Sequence, residues 1–265
     1  MAFDINNFVI DRIVRGVALS QKDDSVLFSI NQIQNASLNC ASESTDAVDA
    51  MGTPIATFYR AKSAEFSAEN ALFDMNLMAT QLGTKKKVAS VNAKVIAPAM
   101  ESFTTKGGKH VLKNIPVAAP TEIYAINGDS TFGVKYVKET AASATAFAYS
   151  EADHSITLPT GIADGVEMFV MYEYETENAV EVVNSATNFP VGCKFVMEVL
   201  GCDVCDQTNL VYAYVIFNNA KLSPDFDWSI ATDGTHPFSM KAQQDYCDKE
   251  KRLFSIIIPE VKDEE

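Results

Sequence analysis

The chain has 265 residues, of which 47% are hydrophobic, and its formal net charge is −14. A chain of this size and composition can bury a core, so it is not globally disordered and has room for a domain with an insertion. The acidic surplus argues against a protein that holds nucleic-acid phosphates or an anionic membrane tightly, because both partners require positive charge. The five cysteines, spread over a long chain, do not indicate a disulfide framework.

Two segments in the first third of the chain alternate between apolar and polar residues, which is the period of strands with one buried face. The segments around Leu38 and Phe66 are expected to form a long hairpin, with its polar positions on one surface. These positions are Asn35, Ser37, Asn39, Ser63, Glu65 and Ser67.

A polar stretch from Glu43 to Gly52 separates the two segments and is predicted to be a long loop. It combines carboxylates with apolar side chains that a merely solvated loop would not need. The residues concerned are Glu43, Asp46, Val48, Asp49 and Met51.

One amphipathic helix is predicted over Asn70 to Leu82, where apolar residues recur at intervals of three and four. Ser67 or Asn70 is expected to cap its start, and Gly83 lies where a C-terminal cap belongs. The basic residues Lys85, Lys86 and Lys87 follow, and positive charge suits that end of a helix.

The middle of the chain, residues 105–178, predicts a small β-sandwich, because short strands alternate with regular turn signals. Its last strand, Val166 to Tyr174, alternates clearly, and one predicted face consists of Val166, Met168, Val170, Tyr172 and Tyr174, with Glu167, Glu173 and Glu175 on the other. It would be inserted between core segments 1–104 and 179–265. Longer strands are predicted again near the C-terminus, over Phe195–Leu200, Leu210–Phe217, Trp228–Thr232 and Leu253–Ile258.

No pattern of catalytic or metal-binding residues stands out. Cys202 and Cys205 form a C-x-x-C motif, but no second pair of ligands follows at zinc-finger spacing, and a turn follows instead of the helix of a redox motif. The histidines lie beside turn residues, outside known catalytic motifs. We therefore expect no enzyme activity, no cofactor and no metal.

The order of the C-terminal motifs resembles the tail tube proteins of tailed phages. The motifs are Asn188-Phe189-Pro190-Val191-Gly192, Asn219-Ala220-Lys221-Leu222-Ser223-Pro224 and Asp233-Gly234-Thr235-His236-Pro237-Phe238. The resemblance also includes Asp49-Ala50-Met51-Gly52-Thr53-Pro54-Ile55 and the predicted helix. It covers the helix region and roughly the last third of the chain, and these are turn and packing patterns.

The resemblance implies a mainly β fold: a β-sandwich or half-barrel with one flanking α-helix, which carries the inserted β-sandwich module in this chain. It further implies a structural virion protein whose homo-hexameric rings stack into a tail tube, through which the genome is ejected into the host. The implied partners are other copies of the chain and other tail proteins: the tape measure, the terminator, the baseplate and, in contractile tails, the sheath. DNA would only pass through, and assembly would occur in the host cytoplasm. An N-terminus without a basic and apolar leader fits that expectation.

Within such a tube, we expect the six polar hairpin positions to face the lumen. We expect the Glu43–Gly52 segment to stack on the next ring, with Lys85, Lys86 and Lys87 as candidate partners of its carboxylates. The alternatives are a head–tail connector, a capsid decoration protein or, from a different class, a cytoplasmic enzyme that depends on cysteine.

Overall fold

A computed structural model describes residues 5, 7–246 and 249–260 of the chain. Internal contacts divide it into two compact units. Unit 1 comprises the chain up to Lys86 and from Val182 onward, and unit 2 is the segment Lys87–Glu181. The predicted mainly β fold is confirmed, and the described residues contain one α-helix.

The chain folds, from its N-terminus to its C-terminus, into mostly short and medium-length strands. In order, the elements are β1 (Phe8–Ser20), β2 (Val26–Ile30), β3 (Ile33–Val48), β4 (Pro54–Asn70), α1 (Met75–Gln81), β5 (Lys87–Val88), β6 (Val95–Thr104), β7 (Lys109–Val111), β8 (Glu122–Ile126), β9 (Phe132–Glu139), β10 (Ala146–Ser150), β11 (Ser155–Thr157), β12 (Glu167–Thr176), β13 (Val180–Glu181), β14 (Gly192–Asp203), β15 (Asp206–Leu222), β16 (His236–Ala242) and β17 (Ser255–Ile257).

Unit 1 is built on one curled, half-barrel sheet with the strand order β2-β1-β14-β15-β16-β4-β3, and β17 pairs with β15 beside β16. Every pairing in it is antiparallel. The inner face buries a cluster of aromatic rings, among them Phe28, Phe66, Phe195, Phe217 and Phe238. Burying one such ring contributes about 1.5–3 kcal/mol, so this cluster is the main support of the sheet.

The helix α1 is shorter than the sequence predicted and begins at Met75, because β4 continues to Asn70. Asp74 is its N-cap and accepts the backbone N–H groups of Asn76 and Leu77, so the capping prediction for Ser67 or Asn70 is wrong. Gly83 follows the helix with a φ of 66°, the left-handed conformation that glycine adopts easily. The N–H of Thr84 then donates to Ala79 and that of Gly83 to Thr80, which closes the helix end.

The predicted loop over Glu43–Gly52 is mostly strand, so that prediction is wrong. Strand β3 runs to Val48; Glu43 to Ala47 pair with Arg60 to Ala56 of β4, and Val48 pairs with Pro54 after a register shift. Both faces of this part of the hairpin are exposed. Because neither face is buried, these positions did not require apolar residues. The sequence therefore lacks the alternation of apolar and polar residues from which a strand is predicted.

Unit 2 contains a seven-stranded sheet of order β6-β12-β8-β9-β10-β11-β7, in which only β9 and β10 are parallel, together with the short pair β5 and β13. Met168, Val170 and Tyr172 on β12 are buried and Glu173 is exposed, as the alternation predicted. Strand β6 lies in this unit and not in the first core segment of residues 1–104, because it pairs along its whole length with β12.

Near the C-terminus, β14, β15 and β17 confirm three of the predicted strands, but Trp228–Thr232 is not a strand. Instead the indole of Trp228 stacks on the ring of Phe73 at 4.3 Å between centroids. Among the described residues, no helix has both the length and the apolar composition that crossing a bilayer requires.

Candidate assembly surfaces

The predicted polar surface of the first hairpin is present in unit 1. Ser37 lies opposite Ser67, and Asn39 lies opposite Glu65, so these side chains share one face of the sheet. Ser63 follows on β4 at the next position of the same alternation. All are exposed, whereas Phe66 between them is 1% exposed and faces the core.

Asn35 lies beside this face but outside the regular strand pairing, because the register of the hairpin is irregular between Gln34 and Ser37. Asn35 has a φ of 54°, and its Nδ2 donates to Oε2 of Glu69 at 3.3 Å. The face continues onto β16, where Ser239 lies opposite Ser67 and Lys241 lies opposite Glu65. We call this surface the polar face; it comprises Asn35, Ser37, Asn39, Ser63, Glu65, Ser67, Ser239 and Lys241.

A second surface is the distal half of the same hairpin, residues 43–60, which we call the ribbon. Strand β16 pairs with β4 only between Glu65 and Asn70, so within the described residues the ribbon is two-stranded. A two-stranded hairpin without further packing is marginally stable in water. Within one copy, the ribbon is therefore supported only by its own strand pairing and by its continuation into the unit 1 sheet.

The ribbon also exposes large apolar side chains on and near its tip. Their exposed fractions are 55% for Val48, 90% for Met51, 71% for Ile55, 53% for Phe58 and 72% for Tyr59. Apolar surface concentrated on a projecting element is typical of a protein–protein contact. The predicted stacking residues Val48 and Met51 belong to this set.

The carboxylates of the ribbon have local roles that the sequence did not reveal. Oδ1 of Asp49 accepts the backbone N–H groups of Met51 and Thr53 at 2.8 and 2.9 Å, and this shapes the turn between β3 and β4. Oδ1 of Asp46 accepts the hydroxyl of Thr57 at 2.7 Å. Both sets of hydrogen bonds lie within the ribbon, so its apolar residues are the better candidates for a contact with another molecule.

Among the described residues of unit 1, neither Lys85 nor Lys86 forms a salt bridge with the ribbon. Lys85 and Lys86 are exposed. Hydrogen bonds from Ser20 and Ser25 lower the pKa of Asp23, and the positive charge of Lys85 makes a smaller contribution in the same direction. Nζ of Lys87 lies 3.4 Å from a carboxylate oxygen of Glu181 in unit 2. A contact of these lysines with the carboxylates of a second copy stays a prediction.

The cysteines show no cluster suited to chemistry among the residues that the structure describes. Cys193 is buried, and burial raises the pKa of its thiol to about 11, which keeps it protonated and unreactive. Cys202 and Cys205 lie at the β14–β15 turn, where the N–H of Cys205 donates to Asp203. The described residues contain no group of three or more histidine, cysteine or acidic side chains placed to hold a metal, and Cys247 lies outside them.

A buried polar cluster in unit 2 was not predicted from the sequence. The carboxylate of Glu101 lies 2.8 Å from Nε2 of His110 and accepts the hydroxyl of Tyr172 at 3.0 Å and the N–H of Lys113 at 3.3 Å. The ring of His110 stacks on that of Phe103 with 3.7 Å between centroids. Glu101 is 3% exposed, so the cluster ties β6, β7 and β12 together inside the unit.

The electrostatics of Glu101 agree with a structural role. Burial acts to raise its pKa, but the hydrogen bonds from His110, Lys113 and Tyr172 together outweigh burial and lower the pKa. The carboxylate is therefore ionised and already bound on both oxygens. Its partners lie on β7, just after β7 and on β12, and they could not be read from the sequence, since only folding brings them together.

Comparison with known proteins gives one family. The family model described as the YomU/Tube protein family matches residues 8–253. No curated protein gives a significant match to the chain. The family match spans both units, the polar face and the ribbon, and it agrees with the resemblance found in the sequence motifs. Because it covers far more than half of the chain, this protein belongs to the YomU/Tube family, and that membership identifies a structural protein of the phage tail tube.

Proposed function

We propose that the protein forms the tail tube of a phage by closing into homo-hexameric rings that stack into a hollow conduit for genome ejection. Membership of the YomU/Tube family supports self-association. The ribbon is the single observation that carries the proposal, because it exposes apolar residues on an element that is two-stranded within the described residues. Strands β3 and β2 end the unit 1 sheet of the described residues, and their outer edges could pair between copies, which would remove the liability of open edges.

We assign the polar face to the lumen of the tube. Its hydroxyl and amide groups are small and uncharged, and its charges are few, so any contact that it makes with phosphates should be weak and reversible. The opposite face of the same strands is buried in the aromatic core and cannot line a channel. The acidic surplus of the chain adds a repulsion that keeps DNA moving.

We assign the ribbon to contacts between rings. Val48 and Met51 would be buried there against the next copy, while Asp46 and Asp49 hold the local shape of the ribbon. Glu43, Lys85, Lys86 and Lys87 are exposed and could add ion pairs between copies. Each exposed pair would contribute about 0–1 kcal/mol, so salt would weaken the contact without abolishing it.

The remaining assignments follow from the tube. The protein would be assembled in the host cytoplasm, remain in the virion tail and contact the tape measure, the terminator, the baseplate and any sheath. Unit 2 would be a module carried by the tube core, and we propose no enzymatic reaction for either unit. A head–tail connector or decoration protein is the alternative, and it would form rings or coats without long tubes.

Electron microscopy of the purified protein and of virions tests the proposal. Hollow tubes built from six-fold rings are the expected result. A protein that stays monomeric by light scattering at high concentration, with another protein forming the tube in virions, would overturn it. Rings that never stack would favour the connector.

A further inference from the structure

Lys241 of the polar face has a second lysine, Lys221, as its neighbour on the next strand, and the proposed conduit does not explain this pair. Lys221 on β15 lies directly opposite Lys241 on β16, and Lys241 lies opposite Glu65 on β4. Side chains directly opposite each other on antiparallel strands share one face and are close neighbours. One row across the sheet therefore reads Asn39, Glu65, Lys241, Lys221 and Gly192.

Placing two lysines opposite each other is unfavourable, because like charges repel at this distance. Both side chains are exposed, and within the described residues neither forms a salt bridge. Glu65 can balance only one of the two charges. The row therefore carries a surplus positive charge in a chain whose net charge is −14.

The surroundings leave this charge open to a ligand. Gly192, at the end of the row beside Lys221, has no side chain of its own, and the side-chain amides of Gln21 and Asn219 next to it carry no charge that could balance the lysine. The neighbouring row consists of Ser37, Ser67 and Ser239, whose hydroxyls can donate to an anion. The next carboxylate of this face along β4, Glu69, is already bound by Asn35 and Thr235.

We propose that Lys221 and Lys241 form a phosphate-contacting pair that touches the backbone of the DNA as it passes along the polar face. The proposal rests on the tube and on the lumen assignment above. In a ring of six copies the pair would form a positive collar, with twelve lysines against six copies of Glu65. Because the rest of the protein repels phosphate, the collar would hold DNA weakly and reversibly.

The magnitude of the effect follows from counterion release. Each phosphate neutralised by a lysine contributes about 0.9 to the slope of log affinity against log salt concentration. Removing the pair should therefore reduce that slope by about 1.8 for each site occupied. Removing the negative charge of Glu65 should act in the opposite direction and strengthen binding.

The test is co-sedimentation of a labelled duplex of about 20 base pairs with assembled tubes, between about 20 and 200 mM salt. The variant Lys221→Gln with Lys241→Gln should form normal tubes and lose DNA at low salt, while Glu65→Gln should retain more than the unmodified protein. Lys106→Gln with Lys138→Gln is the matched control, because both lysines are exposed in unit 2, and it should bind as the unmodified protein does.

Equal DNA binding by the double lysine variant and the unmodified protein would overturn the proposal. An equal loss of DNA binding in the control variant would also overturn it. Binding of polyglutamate in place of DNA would overturn it as well and would indicate an acidic protein partner. If the unmodified protein forms no tubes, the proposed function fails. In that case, fluorescence anisotropy of the labelled duplex with the same variants as protomers still decides whether the lysine pair binds DNA.

Discussion

The imidazole Nε2 of His236 lies 2.8 Å from Oε1 of Gln81, the last residue of helix α1, inside unit 1. On the other side of the ring, Nδ1 accepts the backbone N–H of Asp74, the helix N-cap, at 3.4 Å. A neutral ring with its proton on Nε2 satisfies both contacts. One fully buried side chain on β16 therefore holds both ends of the helix.

We expect acid to loosen this attachment. Burial lowers the pKa of His236, and the opposing effect of the Asp74 carboxylate is smaller. Below about pH 6.5 the unfolded chain binds a proton that the folded ring resists, so the free energy of unfolding should fall as the pH falls. Above that pH the contribution is complete. Replacement of His236 by Gln should remove this part of the pH dependence.

Trp228 provides the measurement, because it is the single tryptophan of the chain and stacks on Phe73, which stacks on His236. Denaturant unfolding followed by the fluorescence of Trp228, from about pH 8 to pH 5, should show that the free energy of unfolding of the unmodified protein falls as the pH falls. His154→Asn is the control and should keep the same pH profile. Identical profiles for the unmodified protein and the His236→Gln variant would contradict the assignment.

Glu101 should make unit 2 sensitive to stronger acid. The pKa of Glu101 is lower in the folded protein than in the unfolded chain. Its contribution to the stability of unit 2 is therefore complete above about pH 4.3 and is lost as the pH falls toward the folded pKa. Glu101→Gln should cost about 1.5–3 kcal/mol, the range for hydrogen bonds to a charged group. Hydrogen exchange at the amide of Lys113, which donates to Glu101, reports the change locally.

The control for this prediction is Glu122→Gln, because Glu122 also binds a tyrosine and a lysine but is much more exposed. It should leave exchange at the Lys113 amide unchanged. If Glu101→Gln exchanges there no faster than the unmodified protein, the buried cluster does not stabilise the unit.

Gly83 and Gly107 form a matched pair for backbone strain. Both have a φ near 65°, but a Cβ on Gly83 would lie 2.3 Å from the carbonyl of Phe189, whereas one on Gly107 would meet nothing within 4 Å. Gly107→Ala should therefore cost only the conformational penalty of about 1–2 kcal/mol. Gly83→Ala should cost clearly more. Equal shifts in the denaturation midpoint of the two variants would contradict this prediction, because they would show that the backbone of Phe189 moves away from the added methyl group at little cost.

Serine in place of Val48 and Met51 should prevent tube formation without unfolding the protomer. Both side chains are exposed within one copy, so their replacement should change the free energy of unfolding by less than about 0.5 kcal/mol. Val134→Ser with Met100→Ser in unit 2 is the control, since those residues are similarly exposed. Microscopy should show tubes for the control alone; tubes of normal length from the ribbon variant would exclude the ribbon as the stacking element.

Sequence alone determined the elements in which one face had to be apolar. Around Phe66 the period of two is regular because alternate side chains enter the aromatic core, so both the strand and its polar face could be predicted. The same reasoning succeeded for Met168 and Val170 in β12. Where neither face is buried, as between Glu43 and Val48, composition carries no such period, and a strand was predicted as a loop.

Only the tertiary structure decided which distant residues meet. The opposition of Lys221 and Lys241 depends on strand register, and the contacts of His236 with Asp74 and Gln81 depend on how β16 lies against the helix. Glu101 likewise gained its partners from segments far apart in the chain. Local sequence encodes periodicity, caps and turns through short-range sterics and hydrogen bonds, whereas these contacts arise from the packing of the whole sheet, which no local pattern specifies.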